Sequence, residues 1–224
     1  MTPAPAAPPV LLAMLKLPRA GLVKTRLARA IGAEPAATLF RVLAERQMAA
    51  IPSSWRSEVH FAPAEAVAEM QSWLGLRHAY YAQSEGDLGH RLTTAAAGAF
   101  ERGAGAVIIV GGDCPDLDEI CLHETASLLR RTDVVLGPAI DGGYYLIGLT
   151  RPSPQLFVEI PWSSPHVLES TLERITAAGL KHAMLAPKED IDDLASLRRV
   201  FPSVNEARQD WSQLTLPPAR AKGA

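Results

Sequence analysis

Val107-Ile108-Ile109-Val110-Gly111-Gly112-Asp113-Cys114-Pro115-Asp116 is the stretch on which the reading of this chain turns. Its first four residues are apolar and β-branched, a run too short for a helix and suited to a strand buried on both faces of a parallel sheet. Gly111-Gly112 ends the run and permits a tight turn with close approach of backbone to a ligand. Asp113 follows at once, at the carboxyl end of the strand, the edge where open α/β sheets bind ligands. Pro115 then fixes the chain, and Asp118 is placed to cap a helix running through Ile120, Leu128 and Leu129. A carboxylate at such a turn is either a metal- or phosphate-site group or a local cap, and the stretch by itself leaves both open.

The chain's 224 residues suffice to bury a full core, as one large domain or two small ones. A net charge of -2 gives no bulk electrostatic reason to bind nucleic acid or a membrane surface. The two cysteines, Cys114 and Cys121, have no histidines at zinc-finger spacing, which argues against a disulfide framework or a structural zinc. Cys114 reads as a small packing residue or as a reactive thiol. The start, MTPAPAAPP, lacks a basic segment, and Val10–Leu15 is too short for a signal core or a membrane span. The expectation is a cytoplasmic protein with a disordered leader at 1–9, one domain at 10–205 and a tail at 206–224.

Outward from the central strand, Val10–Leu15 reads as the first strand and feeds the loop from Lys16 to Leu27. Lys16, Arg19, Lys24 and Arg26 gather there around a proline and a glycine, with a helix beginning near Lys24. Cationic side chains at a helix amino end favour a phosphate or pyrophosphate, the other reading being a solvated basic loop. The Walker spacing is absent. Two helices follow, separated by Gly32 and Pro35, then a strand at Glu58–Ala62 with His60 as a structural residue. A helix at Ala64–Leu74 and a strand at His78–Gln83 come next. Asp87 lies between two glycines ahead of a helix at Leu88–Gly103, as a cap, a ligand contact or both.

Asp133–Pro138 reads as a further strand, and Asp141-Gly142-Gly143 as a hairpin turn or as a second loop whose backbone approaches the same ligand. Ser164 and Pro165 suit the start of a helix at His166–Ala178, closed by Gly179. After a strand at His182–Ala186, the acidic run Glu189-Asp190-Ile191-Asp192-Asp193 reads two ways. It can serve the start of the last helix, or supply a second carboxylate to a metal held by Asp113.

The motifs K-x-P-x-x-G-x-x-K-T-R-L (16–27), Q-x-x-G-D-L-G-x-R (83–91), V-G-G-D-C-P-D-L (110–117), G-P-x-x-D-G-G-Y-Y-L-I-G-L (137–149), P-W-S-S (161–164) and D-I-D-D-L (190–194) resemble one family. It is the radical-SAM/selenodomain-associated transferase family of the nucleotide-diphospho-sugar transferase superfamily. The resemblance covers about Val10 to Phe201. It implies a GT-A-like α/β fold, a three-layer sandwich with a mostly parallel central sheet. It also implies Mg²⁺ or Mn²⁺, a nucleotide or nucleotide-sugar donor and a small acceptor; from the charge, no nucleic acid and no membrane are expected as partners. Carried over by motif, Lys24 and Arg26 would hold phosphates, Asp113 and Asp192 would ligate the metal, and Asp87 and Asp141 would face nucleotide or acceptor. The expected activity is glycosyl or nucleotidyl transfer, in which Lys24 and the metal neutralise the leaving phosphate and Asp141 or Asp87 orients an acceptor hydroxyl. The alternatives are a guanylyltransferase resembling phospholactate guanylyltransferase and a nucleotide-binding regulator without turnover. One departure stands out: the turn at Asp113 is not a glycosyltransferase D-x-D, which leaves the place of Asp116 open.

Overall fold

The computed structural model describes residues 7–202. The expected tail and the first six residues of the expected leader lie outside the described residues, and 7–9 carry no regular structure. The elements in order are β1 (Val10–Lys16), α1 (Thr25–Ile31), α2 (Ala33–Ala49), β2 (Ser57–Ala62), α3 (Val67–Leu74), β3 (Ala79–Ala82) and α4 (Leu88–Glu101). Then come β4 (Val107–Val110), α5 (Glu119–Leu128), β5 (Val134–Pro138), β6 (Tyr144–Leu149), α6 (Val167–Ala177), β7 (His182–Met184) and α7 (Leu194–Val200). The strands form one sheet in the order β3-β2-β1-β4-β6-β5-β7. β6 runs antiparallel to both its neighbours, and the other pairings are parallel. This is the expected α/β fold.

The apolar strand runs are explained by cores on both faces of the sheet. Leu11, Ala13 and Leu15 of β1 and Ile108 and Val110 of β4 pack with Phe40, Met48, Met70 and Leu122 from α2, α3 and α5. The alternate residues Val10, Leu12, Val107 and Ile109 pack with Leu92, Ala96 and Ala99 of α4 and Ile175 of α6. Among the described residues no helix is long and apolar enough to cross a membrane.

A third, smaller core decides where the chain's acidic end lies. Leu27, Leu39 and Leu43 of α1 and α2 bury Ile191 together with Leu197 and Phe201. Ile191 is fully buried, and its N–H donates to the Asp113 carbonyl at 3.0 Å. One apolar side chain and one backbone bond therefore fasten the segment carrying Asp190 and Asp192 against the turn after β4. Truncating Ile191→Ala leaves a cavity among three helices and is expected to cost about 2–5 kcal/mol. A lowered urea midpoint with unchanged slope checks it.

Several local expectations shift. Pro35 sits in the first turn of α2, where its missing N–H is tolerated, and Gly32 alone separates the two helices. α3 starts at Val67 because Pro63–Ala66 close a turn through Ala66 N–H and the Pro63 carbonyl at 3.1 Å. α6 starts at Val167, and Ser164 accepts from His166 N–H at 3.2 Å ahead of the helix instead of capping it.

Candidate active site

A cleft of about 710 Å³ opens at the carboxyl ends of β1 and β4, bounded by the loop before α1, the β5–β6 hairpin and the segment 162–165. Of the residues singled out from the sequence, Lys16, Lys24, Arg26, Gly111, Gly112, Asp113, Asp141, Gly143 and Asp192 line it. Arg19, Asp87 and Gly142 do not. Arg19 is spent on an exposed ion pair with Glu69 of α3 at 2.7 Å. Asp87 caps α4, accepting from His90 N–H at 2.8 Å, so the local reading of that residue describes its place in the structure.

At the centre lies Lys24, the residue before α1. Its backbone is left-handed at φ 47, a conformation that costs a non-glycine residue of order 1–3 kcal/mol and clusters at functional sites. Ser163, which also lines the cleft, is left-handed at φ 64. The Lys24 side chain is 6% exposed, with Nζ 2.7 Å from Asp113 Oδ2 and 2.5 Å from Asp192 Oδ1. Burial alone pulls the pKa of this ammonium down, but Asp113 and Asp192 outweigh it and hold Lys24 well above the ordinary lysine value. Three distant parts of the sequence thus meet in one charged cluster.

Asp190 is the residue the sequence reading underweighted. Burial first, then the neighbouring charge of Asp113, pushes its pKa well above the usual carboxylate range, with Lys24 opposing. Its Oδ1 is buried without a hydrogen-bond partner. The signal was present in the spacing: two aspartates flank an isoleucine, and in extended chain a buried middle residue turns both neighbours the other way. Asp116, the other open candidate, does not line the cleft, and its carbonyl accepts from Lys188 Nζ at 2.7 Å.

Among the described residues no three His, Cys, Asp or Glu side chains converge into a complete metal cage. The donor set nevertheless suits a hard divalent cation completed by phosphate oxygens and water. Asp113 and Asp192 already share a cation, the Lys24 ammonium, whereas Asp190 does not line the cleft.

The remaining features are supports. Gly112 is buried, and a Cβ there would lie 2.6 Å from Leu15 and 3.1 Å from Phe40, so core packing by itself demands glycine. Gly142 has φ 92, and a Cβ would lie 2.1 Å from the Pro165 carbonyl, while its own carbonyl accepts from Leu168 N–H at 2.9 Å. The hairpin is thereby clamped to the start of α6, with Asp141 at the cleft edge accepting from Gly143 N–H at 2.9 Å. Gly142→Ala is expected to cost about 1–3 kcal/mol through strain and collision, read as a lowered melting temperature. Cys114 is buried, and burial, reinforced by Asp190 and Asp113, raises its thiol pKa well above normal. It is a packing residue, without the thiolate a nucleophile needs.

Residues 46–164, just over half of the chain, match the family DUF2064, described as an uncharacterized protein conserved in bacteria. The chain belongs to the DUF2064 family. This DUF2064 protein is also similar to a protein of Desulfovibrio desulfuricans G20 provisionally named a nucleotide-diphospho-sugar transferase. The two are 30% identical over 91% of each chain, with a TM-score of 0.82, which supports the nucleotide-diphospho-sugar transferase superfamily. Rv0371c of Mycobacterium tuberculosis H37Rv, in its complex with manganese, is 15% identical over 88% of this chain and 100% of that one, with a TM-score of 0.53. The bifunctional IspDF of Campylobacter jejuni is 10% identical over 85% of this chain and 54% of that one, with a TM-score of 0.55. With these two the DUF2064 protein shares the fold. No curated protein matches the chain.

Proposed function

We propose that this DUF2064 protein is a transferase dependent on Mg²⁺ or Mn²⁺ that binds a nucleoside triphosphate or a nucleotide-diphosphate sugar and passes a glycosyl or nucleotidyl group to a small acceptor. The observation that carries the reading is the Lys24–Asp113–Asp192 cluster at the carboxyl edge of the sheet. In it cationic and hard anionic groups meet inside a cleft large enough for a nucleotide. The likeness to the Desulfovibrio protein supports the transferase class, and the manganese complex of Rv0371c accords with a divalent cation.

In this reading Asp113 and Asp192 hold the cation. When bound, it supplies charge neutralisation for the polyphosphate. Lys24, Lys16 and Arg26 bind and orient the phosphates, stabilising charge on the leaving oxygens. Asp141 accepts the proton of the acceptor hydroxyl. In glycosyl transfer the acceptor oxygen bonds to the sugar's anomeric carbon as the bond to phosphate breaks and nucleoside diphosphate leaves. In nucleotidyl transfer the acceptor oxygen bonds to the α-phosphorus and pyrophosphate leaves.

Nucleotidyl transfer of the guanylyltransferase type is the second reading. It is favoured by the turn at Asp113, which is not itself a D-x-D, and by the position of Asp116 outside the cleft lining. Nucleotide donors are cytoplasmic metabolites, and a cytoplasmic location goes with either reading. The test is thermal unfolding with GTP, CTP and UDP-sugars, with and without Mg²⁺ or Mn²⁺, followed by assays for released pyrophosphate and nucleoside diphosphate. At least one donor is expected to raise the melting temperature only with metal present. Stabilisation without any product would favour a regulator, and no stabilisation by any donor would sink the proposal.

A further inference from the structure

Lys24 stands where the cation of the proposed transferase would stand. Its Nζ lies 2.7 Å from Asp113 Oδ2 and 2.5 Å from Asp192 Oδ1, so a divalent cation held by the same two carboxylates would compete with the ammonium for them and repel it. The two cations therefore exclude each other. A lysine can resolve the conflict, because its charge is a compact point on a flexible four-carbon stem. Lys24 borders the cleft that Lys16, Thr25 and Arg26 also line.

We propose that Lys24 has two working positions: one paired with Asp113 and Asp192, as in the structure, and one turned to the donor's phosphates when a divalent cation takes those carboxylates. This rests on the metal-dependent reading above and adds to it a competition within the chain itself. The polyphosphate offers Lys24 a second anionic partner, so polyphosphate and cation favour each other's binding. Metal alone must displace two ion pairs with nothing to receive the lysine, and it binds poorly. The device keeps the carboxylates compensated between turnovers and couples metal loading to arrival of the donor.

The experiment is titration of the full chain with Mn²⁺ alone, free Mn²⁺ being read by its paramagnetic resonance signal. Lys24→Met is expected to bind Mn²⁺ at least about tenfold more tightly than the unaltered protein, since a competitor at the site is removed. Lys24→Gln, which keeps hydrogen bonding to the carboxylates without the charge, is expected to gain in the same direction and serves if the methionine variant does not fold. Adding Asp113→Ala to either variant is expected to abolish the gain. Equal or weaker Mn²⁺ binding in both lysine variants, with Asp113→Ala still abolishing binding, would overturn the two-position proposal and leave the metal-dependent reading standing. A gain that survives Asp113→Ala would place the ion elsewhere and also overturn it. No Mn²⁺ binding by any of these proteins, even with GTP, CTP or UDP-glucose present, would remove the metal-dependent reading and this proposal together.

Discussion

Asp113→Ala is expected to lower kcat/KM for the transferred group by about 10²–10³-fold, the scale associated with removing one preorganised electrostatic partner from a charged transition state. The expectation follows from the number of things this residue does. Its carboxylate pairs with Lys24, faces Asp192 across the same ammonium and lines the cleft. Its carbonyl, which the substitution keeps, receives Ile191 N–H and so preserves the fastening of the acidic segment. Activity should therefore fall while the fold persists. Asp113→Asn separates charge from shape: an amide of the same size cannot balance a cation, so it should lose nearly as much. Retention of more than a tenth of the activity by either variant, with the protein folded, would mean that Asp113 is only a turn residue.

Arg102→Met is expected to destabilise the fold by about 1–3 kcal/mol, because it takes the cationic partner from a buried carboxylate. Glu58 on β2 has a side chain only 3% exposed and is held by Arg102 Nη2 at 2.5 Å, Arg102 Nε at 3.2 Å and His60 Nε2 at 3.1 Å. Arg102 also lies 4.0 Å over the Tyr81 ring. Burial by itself raises the Glu58 pKa, but the hydrogen bonds from His60 and Arg102 and their charges prevail, leaving it below the ordinary carboxylate value. The sign of the pH dependence follows. A carboxyl with a depressed folded-state pKa contributes stability that is complete above its unfolded value, and the contribution is lost as pH falls through the folded value. Melting temperatures measured downward from neutral pH should fall below the ordinary carboxylate range, and Glu58→Gln should flatten that decline. An unchanged acid limb in Glu58→Gln would show that the network adds no net stability.

Much of the fold was legible because local chemistry and tertiary context agree. The β-branched run 107–110 is buried on both faces, Asp118 caps α5 by accepting Cys121 N–H at 2.8 Å, and Asp141-Gly142-Gly143 turns an antiparallel hairpin. Where they disagree, the sequence misleads. Ser164 and Pro165 resemble a helix start, yet the clamp between Gly142 and Leu168 sets the first turn of α6 further along. The charged loop before α1 was visible, but its division was not. Arg19 is claimed by Glu69, 50 residues away, while Lys24 reaches carboxylates 89 and 168 residues away. Nothing in the local sequence distinguishes those two basic residues. The buried place of Asp190 likewise depends on Ile191 entering a core formed by α1, α2 and α7, a contact between the two ends of the domain.

A crystal of the protein grown with Mn²⁺ and whichever donor raises its melting temperature tests the central claim most directly, through the anomalous signal of the metal. The account predicts one strong manganese peak within coordination distance of Asp113 and Asp192, phosphate oxygens completing its shell and Lys24 Nζ on the same polyphosphate. A donor bound with its phosphates away from Lys24, or manganese bound elsewhere with the Lys24–Asp113–Asp192 cluster intact, would contradict it.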